Sequence, residues 1–248
     1  MTFNTVAKSY SGAVDSYEAG RPSYPAALVA ALPLAGARRV VELGAGTGKF
    51  TRLMLPHLSG SGRIVAVEPV ADMAARLAGE PKVQVVNRPA SDTGLATGSA
   101  DLVVCAQSFH WFDDEASVAE IARLLHPGAT LALIWNMRDN RVGWVGELSR
   151  LIDVHAGDTP RHQTKRWEWI LRDPRFRFDR ELVEAYPHAM SRDGVHARAL
   201  STSFIARLSS AEKQALRASI DAVLDAHGLG TTGITMPYVS HLYLLTRQ

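Results

Sequence analysis

Residues 40–50 read VVELGAGTGKF, an apolar run that passes through one acidic residue into a turn rich in glycine. Glycines at 44, 46 and 48 allow positive φ angles and let the backbone approach a ligand with no Cβ in the way. A helix that starts at Thr47 or Gly48 turns its free N–H groups toward the same crevice. This strand, turn and helix predict a binding site for a nucleoside cofactor.

The spacing of these glycines distinguishes two classes of cofactor. A dinucleotide site reads G-x-G-x-x-G and places its helix N-terminus at a pyrophosphate. Here the third glycine comes one position early, and Lys49 stands where that motif has glycine. Glu42 precedes the turn, and its charge repels a pyrophosphate but attracts a sulfonium or an ammonium group. The turn therefore favours a positively charged cofactor without phosphate, which S-adenosyl-L-methionine is.

A second apolar run, residues 63–67, ends in Glu68 and Pro69. In a βαβ unit the second strand delivers a carboxylate to ribose hydroxyls about 20 residues after the glycine turn, which is where Glu68 stands. Pro69 ends the strand because it has no N–H for the ladder. Glu68 is therefore predicted to bind ribose, and the competing interpretation is a solvated acid at a strand end.

Length, charge and cysteine content narrow the class of protein. A chain of 248 residues can bury a substantial core, and its net charge of +2 is too small to indicate nucleic acid as a partner. The single cysteine, Cys105, excludes an intrachain disulfide and lies in an apolar run that predicts a buried strand. No apolar stretch reaches membrane-spanning length, and no signal-peptide pattern is seen. We expect a cytoplasmic enzyme with no membrane partner and no metal.

Strands and helices alternate over the first half of the chain, as a parallel sheet requires. Apolar runs predict strands at 39–43, 63–68, 82–87, 101–106 and 129–135, and helical patterns lie at 47–58, 70–78 and 114–125. Asp113 is the predicted cap of the last of these helices. Beyond residue 135 helices are predicted at 143–156 and 209–227, and strands at 177–187 and 234–246.

Residues 161–180 carry seven Lys or Arg, with Trp167 and Trp169 among them. One interpretation is recognition of an acidic or aromatic ligand. Another is a solvated surface that the tryptophans anchor to the core. Nucleic-acid binding is a third interpretation, which the low net charge and the lack of an ordered aromatic platform disfavour.

Six motifs together resemble the class I S-adenosylmethionine-dependent methyltransferases. They are ELGAGTG at 42–48, VEP at 67–69, DLVV at 101–104, LLHPG at 124–128, YEAGRPSYP at 17–25 and SFHWFD at 108–113. The last two are similar to the trans-aconitate methyltransferase-like group, in the small-molecule branch that also includes the ubiquinone/menaquinone methyltransferases. The motifs indicate cofactor and reaction, and they leave the methyl acceptor open.

The resemblance implies a Rossmann-like α/β fold, with a seven-stranded, mostly parallel sheet, helices on both faces and a helical lid inserted toward the C-terminal part. The last strand lies antiparallel beside the sixth. The chain would divide into a cofactor-closing arm at 1–35, an S-adenosylmethionine-binding core at 36–135, and lid helices with the last two strands at 136–248. The implied activity moves a methyl group from S-adenosyl-L-methionine to an oxygen or carbon nucleophile of a small molecule.

The resemblance also implies the cofactor contacts. Glu42 and the turn hold the methionine end, Glu68 holds the ribose, and Arg21 pairs with the cofactor carboxylate. The predicted set is Arg21, Glu42, Gly44, Ala45, Gly46, Thr47, Gly48, Glu68, Pro69, Met73, Ala90, Ser91 and Gln107. Ser91 stands where the commoner family pattern has an acid, so the adenine contact falls to Ser91 or Asp92.

Tyr17, Trp111 and Trp135 are the predicted contacts of the methyl acceptor. Methyl transfer from a sulfonium is an in-line displacement, so alignment and desolvation supply most of the acceleration. A carboxylate acceptor needs no base, whereas a phenol, an amine or a carbon acid does, and His110 is then the catalytic candidate. His110 is alternatively a packed wall of the cofactor pocket.

Two other functions compete with small-molecule methyl transfer. A nucleic-acid methyltransferase is disfavoured, because base-methylating relatives carry an Asn/Asp-Pro-Pro-Tyr type motif where this chain has QSFH at 107–110. A non-catalytic S-adenosylmethionine-binding regulator would have a damaged glycine turn or lack the ribose acid, and both are intact. The oligomeric state is not readable from the sequence.

Overall fold

The computed structural model describes residues 21–230 and 233–248, and these contain a seven-stranded sheet with helices. The predicted Rossmann-like α/β class is confirmed. The strands are β1 Arg39–Leu43, β2 Arg63–Val67, β3 Val83–Val86, β4 Ala100–Ala106, β5 Leu125–Arg138, β6 Phe176–Met190 and β7 Ile234–Arg247. The helices are α1 Ala26–Ala30, α2 Lys49–Met54, α3 Ala71–Ala74, α4 Glu115–Leu124, α5 Gly143–Asp153, α6 Arg192–Leu200, α7 Ser203–Ala206 and α8 Ser210–Ala226.

The sheet order is β3-β2-β1-β4-β5-β7-β6. β1 is parallel to both of its neighbours, with Val41 opposite Val65 of β2 and Val103 of β4. The chain moves outward from β1 through β2 to β3 and then returns to the other side of β1 with β4. Such a switch point opens a crevice outside the carboxyl ends of the strands, where α/β proteins bind their ligands.

The last strand, β7, runs opposite to its two neighbours in the sheet. The Thr246 hydroxyl, near the end of β7, donates to Asp179, near the start of β6, at 2.5 Å. Asp139 N, just past β5, donates to Pro237 O, near the start of β7, at 3.0 Å. β7 is therefore antiparallel to both neighbours, which confirms the orientation that the family resemblance implies.

The helix predicted at 47–58 is shorter in the structure. It covers Lys49–Met54, with Gly48 as its N-cap, and a 3₁₀ turn follows over Leu55–His57. Pro56 lies in that turn, and because proline lacks an N–H it does not extend the α-helical hydrogen bonds.

The predicted cap of α4 is wrong by one residue. Asp114, not Asp113, caps the helix, because its carboxylate accepts from Ser117 N at 2.8 Å. The Asp113 carbonyl instead accepts from the Trp169 indole at 3.0 Å. The helix predicted at 209–227 is present as α8 and begins with a capping box, in which Ser209 and Glu212 are bonded reciprocally.

The basic stretch 161–180 is anchored by its tryptophans and by ion pairs. Trp167 is fully buried, and its ring lies 4.5 Å from that of Trp135, centroid to centroid. Arg175 pairs with Asp173 at 2.6 Å and with Glu115 at 2.7 Å. These contacts support the interpretation of an anchored surface for this stretch.

The chain divides into two compact units. The sheet unit comprises Ser23–Trp135, Pro160–Glu184 and Ser240–Gln248, and its apolar core includes side chains of α1, α2 and the central strands. The helical unit comprises the described residues of Met1–Pro22, Asn136–Thr159 and Ala185–Val239, and its core joins α5, α6 and α8. The three segments predicted from the sequence stay a prediction. Over residues 21–230 and 233–248, no helix has the length and apolar character to cross a bilayer.

Candidate cofactor and active site

Glu42 is the fourth of the five residues of β1, and it is 1% exposed. The Thr51 hydroxyl, on α2, donates to its carboxyl group at 2.5 Å. Burial raises the pKa of Glu42 to about 8, the Thr51 bond opposes that change, and the nearby charge of Glu68 adds to it. Glu42 is thus a buried acid whose ionised form a cationic ligand would stabilise.

Glu68 follows β2 and is 3% exposed, so the interpretation as a solvated strand-end acid is wrong. Its two oxygens accept from the backbone N–H groups of Gly46, at 2.8 Å, and Val70, at 2.9 Å. Burial raises its pKa, and these two bonds oppose the change. Each carboxylate oxygen has two lone pairs, so both oxygens retain capacity for a hydroxyl donor.

Two glycines of the turn differ in what surrounds them. Gly44 has φ +69°, and a Cβ there would lie 2.6 Å from Ser108 Cβ, so the absence of a side chain serves packing. Gly46 has φ +57°, and a Cβ there would have no atom of the described residues within 4 Å. Gly46 therefore faces space that a ligand can enter, and it does so beside the Glu68 carboxylate.

Replacing Gly46 with Ala is expected to weaken cofactor binding at least about tenfold, a loss of roughly 1.4 kcal/mol. The new methyl group enters the space beside Glu68, while the left-handed backbone costs only about 1–2 kcal/mol of stability. Calorimetry with S-adenosylhomocysteine measures the affinity, and urea unfolding measures the stability. Gly79→Ala is the matched control, because Gly79 also has positive φ and open surroundings. Equal affinities in the two variants would contradict this use of Gly46.

The predicted adenine-side residues follow β2 and β3 in the sheet unit. Met73 is buried on α3, Pro69 is partly exposed, Ala90 is buried and Ser91 is exposed. Their cofactor contacts stay predictions. Asn87 was missed by the sequence analysis. Its side-chain amide donates to Glu68 O at 2.7 Å, and its only sequence signal is a polar residue directly after a strand.

The turn after β4 has a strained backbone, and a hydrogen bond joins it to the end of β1, directly before the glycine turn. Gln107 has φ +56°, in the left-handed region that residues with a side chain seldom adopt, and its N–H donates to Ile134 O at 2.8 Å. The Ser108 hydroxyl donates to Leu43 O at 2.6 Å. Such strain clusters at functional sites. Ser108 was not predicted, and it holds this turn against the end of β1.

His110 receives a hydrogen bond from a residue that the sequence assigned to the acceptor site. The Trp135 indole Nε1–H donates to His110 Nδ1 at 3.1 Å. A neutral histidine whose Nδ1 accepts carries its proton on Nε2, so its second nitrogen is a donor. His110 and its neighbour Trp111 are partly exposed, and their ring centroids are 5.2 Å apart.

Trp135 is fully buried in an aromatic cluster of the sheet unit. Its ring centroid lies 4.5 Å from that of Trp167 and 4.9 Å from that of His162. Burial lowers the pKa of His162 to about 4, with further lowering by His241, so His162 is neutral at pH 7. The cluster fixes the indole that bonds His110, and only the tryptophans of this cluster were singled out from the sequence.

Tyr17 and Arg21 complete the predicted set. Tyr17 falls outside the described residues. Arg21 belongs to the helical unit, where its positive charge acts on Arg138. Their roles with acceptor and cofactor stay predictions.

Comparison with known proteins adds independent information. A family model for a methyltransferase domain matches residues 41–133. An uncharacterized methyltransferase-like protein of Schizosaccharomyces pombe is 33% identical over 224 residues, which cover 87% of this chain and 86% of the yeast protein. An uncharacterized methyltransferase of Mycobacterium tuberculosis is 44% identical over 146 residues. That match covers 58% of this chain and only 58% of the mycobacterial protein's own length.

Solved structures share the fold. A structure described as a type II methyltransferase from Anaeromyxobacter dehalogenans has a TM-score of 0.63 at 23% identity and covers 92% of this chain and 97% of its own. Geranyl diphosphate methyltransferase in complex with S-adenosylmethionine has a TM-score of 0.53 at 17% identity and covers 94% and 85%. At these identities the likeness concerns the fold alone.

Proposed function

Since the chain belongs to the class I methyltransferase family, we propose that it moves the methyl group of S-adenosyl-L-methionine to an oxygen or carbon nucleophile of a small molecule. The observation that carries this proposal is the pair of buried carboxylates, Glu42 and Glu68, at the glycine turn. A pyrophosphate would further disfavour ionisation of these two buried acids, whereas a sulfonium nucleoside offers their ionised forms positive charge and ribose hydroxyls. Membership of the chain in the trans-aconitate methyltransferase-like group of this family stays a prediction.

Each part of the turn suits the proposed cofactor. Glu68 would accept from the ribose hydroxyls, Glu42 would face the methionine end, and Gly46 leaves room for the ligand to approach. The bound cofactor would supply a methyl group on a positively charged sulfur. The neutral thioether that remains after transfer is a good leaving group. The protein then has to hold the acceptor in line and keep water away, which is where most of the acceleration arises.

His110 is the catalytic residue that we propose for the acceptor side. Because Trp135 occupies the Nδ1 lone pair, neutral His110 offers the Nε2–H as a donor rather than a free lone pair as a base. A donor at this position orients the acceptor through one of its oxygens. For His110 to act as a base through Nδ1, the hydrogen bond from the Trp135 indole would first have to break.

His110→Ala is expected to lower kcat about tenfold to a hundredfold, because a hydrogen bond to a charged group contributes about 1.5–3 kcal/mol, and to change the affinity for S-adenosylhomocysteine by less than about twofold. His110→Asn keeps an N–H donor and should recover part of the rate. Steady-state kinetics and calorimetry on the three proteins provide the comparison. Equal loss of rate and cofactor affinity in His110→Ala would mean that the ring only shapes the pocket.

Methyl transfer itself is tested with labelled S-adenosylmethionine and a panel of polycarboxylates, phenols, quinone precursors and amines, beside RNA and DNA. We expect label in a small molecule and none in nucleic acid. Label in RNA or DNA would favour the nucleic-acid methyltransferase. Binding of the cofactor with no transfer to any member of a broad panel would favour a regulatory protein.

A further inference from the structure

The outer edge of β6 is long and lies at one end of the sheet. Among residues 21–230 and 233–248, no strand pairs with it on that side. The strand at the opposite end of the sheet, β3, has 4 residues, whereas β6 has 15. An edge presents backbone N–H and C=O groups that another strand can bond, and proteins usually keep such edges short. An edge of this length is therefore a candidate for pairing with another chain.

Apolar side chains are exposed on both faces of this strand. Four large apolar side chains are exposed among the described residues, and Phe178 and Val183, in the part of β6 that belongs to the sheet unit, are two of them. Because side chains alternate along a strand, these two lie on opposite faces of the sheet. A helix packed on one face would cover only one of them, whereas a strand added to the edge would lie beside both. The partner that this edge favours is therefore another strand.

The charged side chains of β6 differ between the two faces. Arg180 and Glu184 are exposed on the face that also carries Leu182. Within the part of the chain that the structure describes, neither has an ion-pair partner within 4.0 Å. The acids on the opposite face, Asp179 and Glu181, have hydrogen-bond partners on β7. The first face thus offers one positive and one negative charge, four positions apart, to a strand that pairs with the edge.

These two charges complement a second copy of the same strand. When two copies of a strand pair edge to edge and antiparallel, one residue lies opposite its own copy, and residues equally far before and after it lie opposite each other. With Leu182 at that centre, Arg180 of each copy lies directly opposite Glu184 of the other, on the same face. Cross-strand pairs of opposite charge stabilise an antiparallel sheet. This register therefore forms the same ion pair twice.

Neighbouring registers lack this match. Centring the pair on any of residues 179–181 places two like charges directly opposite each other, which destabilises a sheet. A centre at Phe178 would set Arg177 opposite Asp179, but these two already pair within one chain at 2.8 Å. A centre at Val183 leaves both of the exposed charges without a charged group opposite. The charge pattern therefore selects one register and one occupant of the edge.

We propose that two copies of this chain form a symmetric dimer by antiparallel pairing of their β6 edges, with Leu182 at the two-fold axis and Arg180 of one copy opposite Glu184 of the other. Standard protein interfaces bury about 1,200–2,000 Å² in total. Two paired strand segments cover less, so we expect a reversible dimer with a Kd on the order of 10 µM. The dimer concerns assembly and does not rest on the proposed methyl transfer.

Sedimentation equilibrium of the full chain, from about 1 to 300 µM and so on both sides of the expected Kd, tests the dimer. The wild type should show a monomer–dimer equilibrium. Arg180→Glu and Glu184→Arg each place like charges opposite each other at two positions, so each should weaken dimerisation at least about tenfold. Arg217→Glu is the matched control, because it makes the same change of charge as Arg180→Glu at an exposed position of α8. This control should dimerise like the wild type.

Restoring the opposite charges should restore the dimer. The double variant with Arg180→Glu and Glu184→Arg exchanges the two charges, and an equimolar mixture of the two single variants sets opposite charges against each other in a mixed dimer. Both should associate within about threefold of the wild-type affinity. Circular dichroism verifies that every variant is folded. A wild type that stays monomeric up to 300 µM would overturn the proposal and leave the edge to a different partner. A dimer that the single variants do not weaken, or that the double variant does not recover, would overturn it as well.

Discussion

Glu68→Ala is expected to lower the affinity for S-adenosylmethionine by at least about a hundredfold. Two hydrogen bonds from ribose hydroxyls to a buried carboxylate contribute on the order of 1.5–3 kcal/mol each, and the variant loses both. The position is 3% exposed, so water does not replace the missing acceptor readily. Calorimetric titration with S-adenosylmethionine measures the effect.

The same carboxylate also supports the protein backbone, and the controls separate the two roles. Glu68 accepts from Gly46 N and Val70 N, so Glu68→Ala should lower stability as well. Glu68→Gln keeps an amide oxygen for one of these donors and should retain more stability while still losing most of the affinity. Asp72→Ala, at an exposed acid on the neighbouring helix α3, should leave affinity unchanged. Unchanged affinity in Glu68→Ala at native stability would refute the ribose role.

Glu42→Gln is expected to remove the pH dependence of cofactor binding. The pKa of Glu42 is about 8 in the free protein, and a cationic ligand favours the ionised carboxyl group. Binding to the wild type below that pH therefore releases a proton, so affinity should rise by up to about tenfold per pH unit and level off above pH 8. In Glu42→Gln the affinity should be lower and the Glu42-dependent rise with pH absent. Calorimetry at several pH values, in buffers of different ionisation enthalpy, measures affinity and proton release together.

The same substitution is expected to stabilise the free protein. The folded-state pKa of Glu42 is raised from 4.5 to about 8, so between these values the folded chain binds a proton that the unfolded chain has lost. Stability of the wild type therefore falls as pH rises through this window, and Gln has no proton to lose. The advantage of Glu42→Gln in urea unfolding should grow by a few kcal/mol, on the order of 1.4 per pKa unit, from pH 5 to pH 8. A constant difference between the two proteins would contradict the buried ionisable acid.

The features that could be predicted are those set by short-range spacing. Glu42, the glycine turn and Glu68 follow the strand–turn–helix–strand order, and the structure places all of them where that order requires. The seven-stranded, mostly parallel sheet and its antiparallel last strand came from the family resemblance, whereas the strand order comes from the structure. The predicted helix boundaries were less accurate. Pro56 ends α2 early, and Asp113 and Asp114 are equally good caps of α4 in the sequence.

The features that could not be predicted depend on contacts between distant residues. Ser108 bonds Leu43 across 65 positions, and Trp135 bonds His110 across 25. No local pattern reveals that the Trp135 indole occupies the nitrogen that a base would need.

The central claim is that Glu42, Glu68 and the turn between them bind a sulfonium nucleoside and not a dinucleotide. Isothermal titration of the purified protein with S-adenosylmethionine, and separately with NAD⁺ and FAD, tests it most directly. We expect saturable binding of S-adenosylmethionine at one site per chain and no measurable binding of NAD⁺ or FAD. Saturable binding of either dinucleotide, or a flat titration with S-adenosylmethionine, would contradict the account.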